Sequence, residues 1–292
     1  MKLLILGGSG MLGHQLWRSF ASRFDTHVTF RRSVESFNKF GFFDRARATA
    51  NVSAHDFDSI TKVVADVRPD VIINCIGIIK QDAAAKDPYQ SLTINALFPH
   101  RLSQLAKASG ARLVHISTDC VFDGKRGHYR DEDLTNAEDL YGRTKALGEV
   151  SGAHCLTIRT SIIGRELDGS HSLVDWFLKQ NGGSIRGFKR AVFSGFTTMA
   201  LARIIEDVLT LHPELNGMWQ VSADPINKYD LLLMVGRAFG MQIEILPDEI
   251  FHCDRSLDSS RFRAATGIVP PSWPAMIQEL AADKNSYNSP AS

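Results

Sequence analysis

"LLILGGSGMLGHQL", residues 3–16, is the most informative segment for the fold, because it has the pattern of a buried strand, a tight turn and the start of a helix. A tight turn needs conformational freedom at its first glycine, a close phosphate needs a bare second glycine, and helix–strand packing needs the third. The free N–H groups of the helix start would bind a pyrophosphate. The pattern favours a dinucleotide-binding loop over a plain turn. Its predicted contact residues are Gly7, Ser9, Gly10, Met11, Leu12 and Gly13.

Beyond this loop, short apolar runs alternate with amphipathic stretches. The runs are rich in β-branched residues, as in strands of a parallel sheet covered on both faces. They occupy residues 3–8, 27–32, 71–77, 112–118 and 155–160, with a weaker run at 49–52. Helical patterns lie between them at residues 11–23, 56–67 and 89–109. This order predicts an α/β protein with a Rossmann-like, doubly wound parallel sheet.

The pattern changes after Thr160, where glycine-rich loops precede a helix, a strand and two further helices. We expect the C-terminal part to be a smaller substrate-binding lobe packed on the sheet. The predicted division is a Rossmann domain at 1–163, to which 191–223 return, a substrate-binding lobe at 164–190 and 224–283, and a flexible tail at 284–292.

Composition excludes several classes of function. The 292 residues carry 33 basic and 32 acidic side chains, a balance that predicts neither a nucleic-acid surface nor a membrane surface. No apolar run approaches the roughly 20 residues of a membrane span. The four cysteines form no metal-ligand pattern, so we expect no metal and a reducing compartment. A strand that begins at residue 2 or 3 leaves no room for a signal peptide, and we expect a cytoplasmic protein.

Two arginines follow the second predicted strand in "FRRS". NAD-binding loops have an acid about 20 residues after the glycines, which binds the ribose 2′-hydroxyl. Arg31 and Arg32 stand there instead, and guanidinium groups match a 2′-phosphate. The cofactor prediction is therefore NADPH, with NADH still possible. The alternative is that both arginines are solvated surface residues.

Two further motifs carry groups suited to acid–base chemistry. "STDCVFDG", residues 117–124, follows a strand directly, which places Ser117, Thr118 and Asp119 where open α/β sheets bind ligands. Turn and cap chemistry is the alternative for these residues. "LYGRTK", residues 140–145, sets Tyr141 and Lys145 four residues apart, on one face of a predicted helix.

Together, the glycine loop, "STDCVFDG" and "YGRTKALGE" resemble the extended short-chain dehydrogenase/reductase family. The closest branch is that of dTDP-4-dehydrorhamnose reductase and related reductases of nucleotide-linked 4-keto-6-deoxy sugars. The similarity continues through "PDVIINCIG", "RTSIIG" and "INKYDLL" and covers nearly the whole chain.

The resemblance implies a role for each catalytic residue. Thr118 would hydrogen-bond the substrate carbonyl and Tyr141 would protonate it. Lys145 would hold the nicotinamide ribose and favour the phenolate, lowering the tyrosine pKa from its usual value of about 10.

The same resemblance extends to binding residues. Cys75, Ile76 and Gly77 would line the cofactor ribose and nicotinamide, together with Ser117. Candidate substrate residues are Lys80, Asp119, His171, Arg190 and Arg255. A surface position is the alternative for Lys80 and the arginines. Cys120 stands where the rhamnose enzymes have tyrosine, which leaves the sugar open.

The expected function is NADPH-dependent reduction of a nucleotide-linked 4-keto-6-deoxyhexose for surface polysaccharide synthesis. The sugar could be dTDP-linked or a UDP-linked 2-acetamido sugar. One alternative is a nucleotide-sugar epimerase or dehydratase of the same fold. Another is a non-catalytic regulatory subunit. The expected partner is a small nucleotide-sugar substrate, and the fold makes a homodimer possible.

Overall fold

The computed structural model describes residues 1–80, 82–283 and 287. Its strands are β1 (Lys2–Leu6), β2 (Asp25–Thr29), β3 (Ala48–Thr49), β4 (Val71–Asn74), β5 (Arg112–Ile116), β6 (Cys155–Arg159), β7 (Ile162–Ile163), β8 (Ser184–Phe193), β9 (Phe196–Thr197), β10 (Gly217–Gln220), β11 (Ile226–Asn227) and β12 (Glu244–Asp254). Its α-helices are α1 (Met11–Phe20), α2 (Phe57–Val67), α3 (Pro88–Ser91), α4 (Phe98–Ser109), α5 (Leu140–Leu147), α6 (Leu173–Leu178), α7 (Thr198–Leu211), α8 (Lys228–Phe239), α9 (Ser260–Thr266) and α10 (Trp273–Ala282). A π-helical segment, Leu92–Leu97, joins α3 to α4.

The central sheet has seven strands in the order β3–β2–β1–β4–β5–β6–β10. Every neighbouring pair in it is parallel. The predicted doubly wound α/β fold is therefore confirmed. The order reverses between β1 and β4, so a cleft forms at the carboxyl ends of these strands, where such sheets bind ligands.

The central strands are apolar throughout because helices cover both faces of the sheet. Leu3 and Ile5 pack in one core together with Leu16 of α1. Leu4 and Leu6 point to the opposite face and share a second core with Ile60 of α2. This alternation of side chains along a strand is why a parallel strand needs apolar residues at consecutive positions.

A second, three-stranded sheet has the order β11–β8–β12 and lies in the C-terminal part. Sequence patterns did not reveal it, since "SIRGFKRAVF" breaks the alternation of a half-buried strand at Gly187 and at the adjacent Lys189 and Arg190, and it follows a glycine pair. Strand β8 runs on to Phe193, so the predicted boundary at residue 190 falls inside a strand. The strand at 217–220 pairs with β6 in the main sheet.

Backbone hydrogen bonds tie the end of β12 to the loop that follows β5. The Asp254 N–H donates to the Gly124 carbonyl at 2.7 Å, and the Tyr129 N–H donates to the Ser256 carbonyl at 2.9 Å. The side chain of Arg255 is held in the same region, because its Nε donates to the Phe122 carbonyl at 2.8 Å. The second sheet therefore lies over "STDCVFDG".

The predicted flexible tail lies outside the described residues, apart from Tyr287. The Tyr287 hydroxyl is 2.8 Å from Nε2 of His14, on α1. None of the helices in the described ranges combines the length and apolar character needed to cross a membrane.

Candidate active site

The glycine loop has the shape that close phosphate approach requires. Gly7 has a φ of +90°, and a Cβ on Gly13 would lie 2.1 Å from the Gly7 carbonyl oxygen. Helix α1 therefore packs directly on the loop. Gly10 is its N-cap and offers no side chain to the first-turn N–H groups, and no acid stands in that turn. Leu12 is buried in the core, which leaves only its backbone to contact a phosphate.

The other predicted cofactor residues lie at neighbouring strand ends. Arg31 and Arg32 are exposed just beyond β2. Cys75 follows β4, its N–H donating to the Leu6 carbonyl at 3.0 Å, and a Cβ on Gly7 would meet Ile76 at 3.2 Å. These residues fit a dinucleotide along the carboxyl edge of the sheet, with a bare glycine cradle at its centre and cations at the β2 end.

Helix α5 is fixed against the β5 loop by its own first turn. Asp139 caps the helix by accepting a hydrogen bond from the Gly142 N–H at 2.8 Å. A Cβ on Gly142 would lie 2.2 Å from the Cys120 carbonyl oxygen, so only glycine permits this approach. Tyr141 is thereby placed beside Thr118, as the motifs predict.

The environment of Tyr141 differs from the predicted one. Burial raises the pKa of the phenol, and the nearby Asp119 carboxylate adds to the increase, while a hydrogen bond with Thr118 opposes it. The expectation that Lys145 lowers this pKa is wrong for the free protein. The Lys145 ammonium instead donates to the Ile116 carbonyl at 2.8 Å. Tyr141 is therefore a neutral phenol at pH 7, the form that donates a proton.

Lys145 is 6% exposed and stands among buried polar groups. Burial lowers its pKa to about 8, while the Glu149 carboxylate favours the charged form. The Ser117 hydroxyl, predicted to line the cofactor, instead donates to Glu149 at 2.8 Å. The Ser117 hydroxyl points toward Glu149 because that carboxylate is held in place by a buried ion pair with Arg159.

The substrate side of the site is a cluster of opposite charges above Thr118. Burial raises the pKa of Asp119, and the cations of Arg255 and Lys228 oppose that increase. The Thr118 hydroxyl donates to Asp119 at 3.2 Å. At the rim, the Lys80 ammonium pairs with Asp139 at 2.7 Å.

The structure brings Lys80, Asp119 and Arg255 together, but it does not bring the other two substrate candidates to them. His171 is exposed before α6, its N–H bonded to Glu166, and Arg190 is exposed on β8. Within the described residues, neither side chain makes a hydrogen bond or ion pair with Lys80, Asp119 or Arg255. No group of three or more His, Cys, Asp or Glu side chains suited to a metal ion occurs within the described ranges.

Sequence reasoning missed Lys228, the first residue of α8. Its ammonium lies 4.3 Å from the centre of the Phe193 ring and near Asp119, Cys120 and Cys253. The sequence signal was weak. "INKYDLL" reads as a capped helix start, and its lysine is 109 positions from Asp119 along the chain.

Comparison with known families agrees with this geometry. Residues 1–184 match the family described as "RmlD substrate binding domain". The chain belongs to this family. The RmlD match includes the glycine loop, Thr118, Tyr141 and Lys145, and it ends before Lys228 and Arg255.

Curated relatives of this RmlD-family chain include proteins of two kinds. Methionine adenosyltransferase 2 subunit beta of Bos taurus is 31% identical over 151 residues, which are 51% of this chain and 41% of that protein. dTDP-4-dehydrorhamnose reductase of Streptomyces griseus is 33% identical over 149 residues, 51% of this chain and 43% of that protein. Each match spans less than half of the relative's length.

Solved structures share the fold over nearly the full length of the RmlD-family chain. dTDP-4-dehydrorhamnose reductase from Bacillus anthracis, in complex with NADP, is 22% identical with a TM-score of 0.79, covering 97% of this chain and 99% of that one. UDP-glucose 4-epimerase from Thermus thermophilus, complexed with NAD, is 17% identical with a TM-score of 0.75, covering 97% and 98%. The fold is therefore common to nucleotide-sugar enzymes with either cofactor.

Proposed function

We propose that the protein is an NADPH-dependent reductase of a nucleotide-linked 4-keto-6-deoxyhexose, acting in surface polysaccharide synthesis. The observation that carries this proposal is the convergence of Thr118, a neutral Tyr141 and a buried Lys145 at the end of β5, beside the glycine cradle. The match to the RmlD family supports the same chemistry.

The chain's own groups have clear tasks in this reaction. When bound, the nicotinamide cofactor supplies the hydride that reduces the ketone carbon. Tyr141 donates its proton to the ketone oxygen, and burial keeps that proton in place until then. The Thr118 hydroxyl turns from Asp119 to the same oxygen. Because helix α5 and the β5 loop are already packed together, these donors need little reorganisation.

The proposed preference for NADPH rests on Arg31 and Arg32. In a double variant with both arginines changed to alanine, we expect the KM for NADPH to rise roughly 10–100-fold, because a hydrogen bond to a charged group contributes about 1.5–3 kcal/mol. The KM for NADH should change little, since NADH has no 2′-phosphate. Initial rates with each cofactor measure both constants.

A matched control is Arg237→Ala, which removes an exposed arginine of α8. It should leave both KM values unchanged. An equal rise in the KM for NADPH and for NADH in the double variant, or clear preference of the wild type for NADH, would contradict the assignment.

Lys228 is proposed to bind the sugar-nucleotide beside Asp119. For Lys228→Met we expect the KM for the sugar nucleotide to rise about 10-fold or more, because a charged donor is lost in a partly buried setting. The KM for NADPH should stay near the wild-type value. Lys189→Met, which changes an exposed lysine of the same lobe, is the control. Equal KM values for the sugar nucleotide in Lys228→Met and Lys189→Met would exclude Lys228 from the site.

The direct test is an NADPH-consumption screen against dTDP-linked and UDP-linked 4-keto-6-deoxy sugars. We expect oxidation of NADPH with one nucleotide series and reduction of the 4-keto group in the product. The absence of turnover with every member, with folded protein, would overturn the proposal. Release of tightly held NAD from the purified protein would favour an epimerase instead.

A binding subunit is a second candidate, favoured by the 31% identity to a methionine adenosyltransferase beta subunit. The complete Thr118, Tyr141 and Lys145 set supports catalysis instead. NADPH oxidation by the protein alone separates the two candidates, because a subunit without its own activity would bind cofactor and turn over no sugar.

A further inference from the structure

A buried ion pair lies directly behind Lys145. Nε and Nη2 of Arg159 bond the two carboxylate oxygens of Glu149 at 2.7 and 2.8 Å, and the side chains are 3% and 8% exposed. Replacing a buried pair of this kind by apolar residues is often neutral or stabilising. Stability alone therefore gives no account of its presence at this point.

The pair joins the three segments that build the site. Glu149 follows α5, which carries Tyr141 and Lys145, and Arg159 ends β6. On the third segment, the Ser117 hydroxyl donates to Glu149 at 2.8 Å. Ser117 lies between Ile116, whose carbonyl accepts from Lys145, and Thr118.

We propose that Glu149 is a positioning residue, which holds the Ile116–Thr118 strand end against α5 and supplies the counter-charge that keeps Lys145 cationic. Its importance for turnover rests on the proposed reductase function, whereas its effect on Lys145 does not. Glu149 itself touches neither of the reacting groups, Thr118 and Tyr141, and acts through Lys145 and Ser117.

The other titratable groups facing Lys145 do not supply this charge. Burial raises the pKa of the Cys75 thiol to about 12, so this thiol is neutral at pH 7. Burial likewise keeps His115 of β5 uncharged, with its pKa well below the usual value. Arg159 of β6 is itself a cation and supplies no negative charge to Lys145. Tyr141, on the same helix, is a neutral phenol.

The direction of the effect follows from these charges. Burial alone disfavours the ammonium form of Lys145, and Glu149 opposes it. The cation is present below a pKa of about 8 and is lost as the pH rises through that value. Without the Glu149 carboxylate, Lys145 would lose its proton at a lower pH, closer to neutrality.

The test uses the free full-length protein with ¹³C-labelled lysine, following the Lys145 Cε signal by NMR across pH. The signal is assigned by its absence in Lys145→Arg. In Glu149→Gln we expect the titration midpoint to fall by about 1 pH unit or more, as for removal of a nearby opposite charge. In Glu149→Asp the midpoint should lie between those of Glu149→Gln and the wild type. Asp131→Asn, which removes another buried acid facing Arg159, should leave the midpoint unchanged.

An unchanged midpoint in folded Glu149→Gln would overturn the proposal. If that variant does not fold, the double change Glu149→Met with Arg159→Met removes the pair without leaving an unpaired charge, and a smaller fall in the same direction is expected, because the cation of Arg159 is removed too. The alkaline limb of the kcat/KM profile should shift with the midpoint. The NMR titration needs no substrate, so a failure of the reductase assignment leaves it intact.

Discussion

Replacing Tyr141 with phenylalanine is expected to lower kcat by about 10²–10⁴-fold, the usual contribution of a positioned general acid. The hydroxyl carries the proton that the ketone oxygen must receive, and burial keeps it protonated at pH 7. Lys145 bonds the Ile116 carbonyl, so loss of the phenol leaves that lysine with its acceptor. Stopped-flow or initial-rate measurements at saturating NADPH and sugar nucleotide give kcat directly.

NADPH binding and the melting temperature should stay near the wild-type values in this variant, because the aromatic ring keeps its packing. Tyr89→Phe is the matched control, since Tyr89 is 72% exposed on α3 and lies outside the site. Full activity of Tyr141→Phe would show that the proton comes from another group, and the assigned mechanism would be wrong.

Gly13→Ala is expected to destabilise the fold by about 1–3 kcal/mol and to abolish tight NADPH binding. The added Cβ would lie 2.1 Å from the Gly7 carbonyl oxygen and 2.8 Å from its carbon, both backbone atoms that cannot rotate away. Helix α1 would have to move off the loop, and the N–H groups at its start would move with it. Thermal unfolding and a fluorescence titration with NADPH measure the two effects.

Gly10→Ala separates cofactor binding from folding. Here the new Cβ would meet the Gly7 carbonyl oxygen at 3.4 Å, an ordinary contact, so the melting temperature should hardly change. Affinity for NADPH should still fall, because the methyl group occupies the space through which a phosphate reaches the helix start. Unchanged affinity in Gly10→Ala would mean that the pyrophosphate does not bind at this loop.

The main sheet was predictable because its strands are buried on both faces. "VIINCIG" and "RLVHIST" can be recognised without knowing their neighbours, since each needs apolar residues at consecutive positions. Strands β8 and β12 were not predictable in this way. Most of their charged residues face solvent, although Asp248 is buried, and the two strands pair across about 60 residues of intervening chain, for example Ser184 with Glu244.

The predicted substrate residues were also hard to place from sequence alone, because they lie on segments far apart in the chain. Lys80, Asp119 and Arg255 lie close together and remain predicted substrate residues, whereas Arg190 points out from β8 and Lys228 takes a place that no motif indicated. Which cation of the second lobe reaches the cleft depends on how that lobe docks on the β5 loop. That docking is set by backbone contacts such as Asp254 to Gly124.

The doubly wound fold, the glycine loop and the placement of Tyr141 and Lys145 on one helix follow from the sequence alone, because each can be recognised from residues close together in the chain. Only the tertiary structure decided the electrostatics of the site. The pKa of the Tyr141 phenol is raised, and the Lys145 ammonium donates to the Ile116 carbonyl. Glu149 and Arg159 form a buried ion pair next to Lys145. The burial of a group and its distance from each charge depend on segments that are far apart in the sequence. These segments come together only when the chain folds.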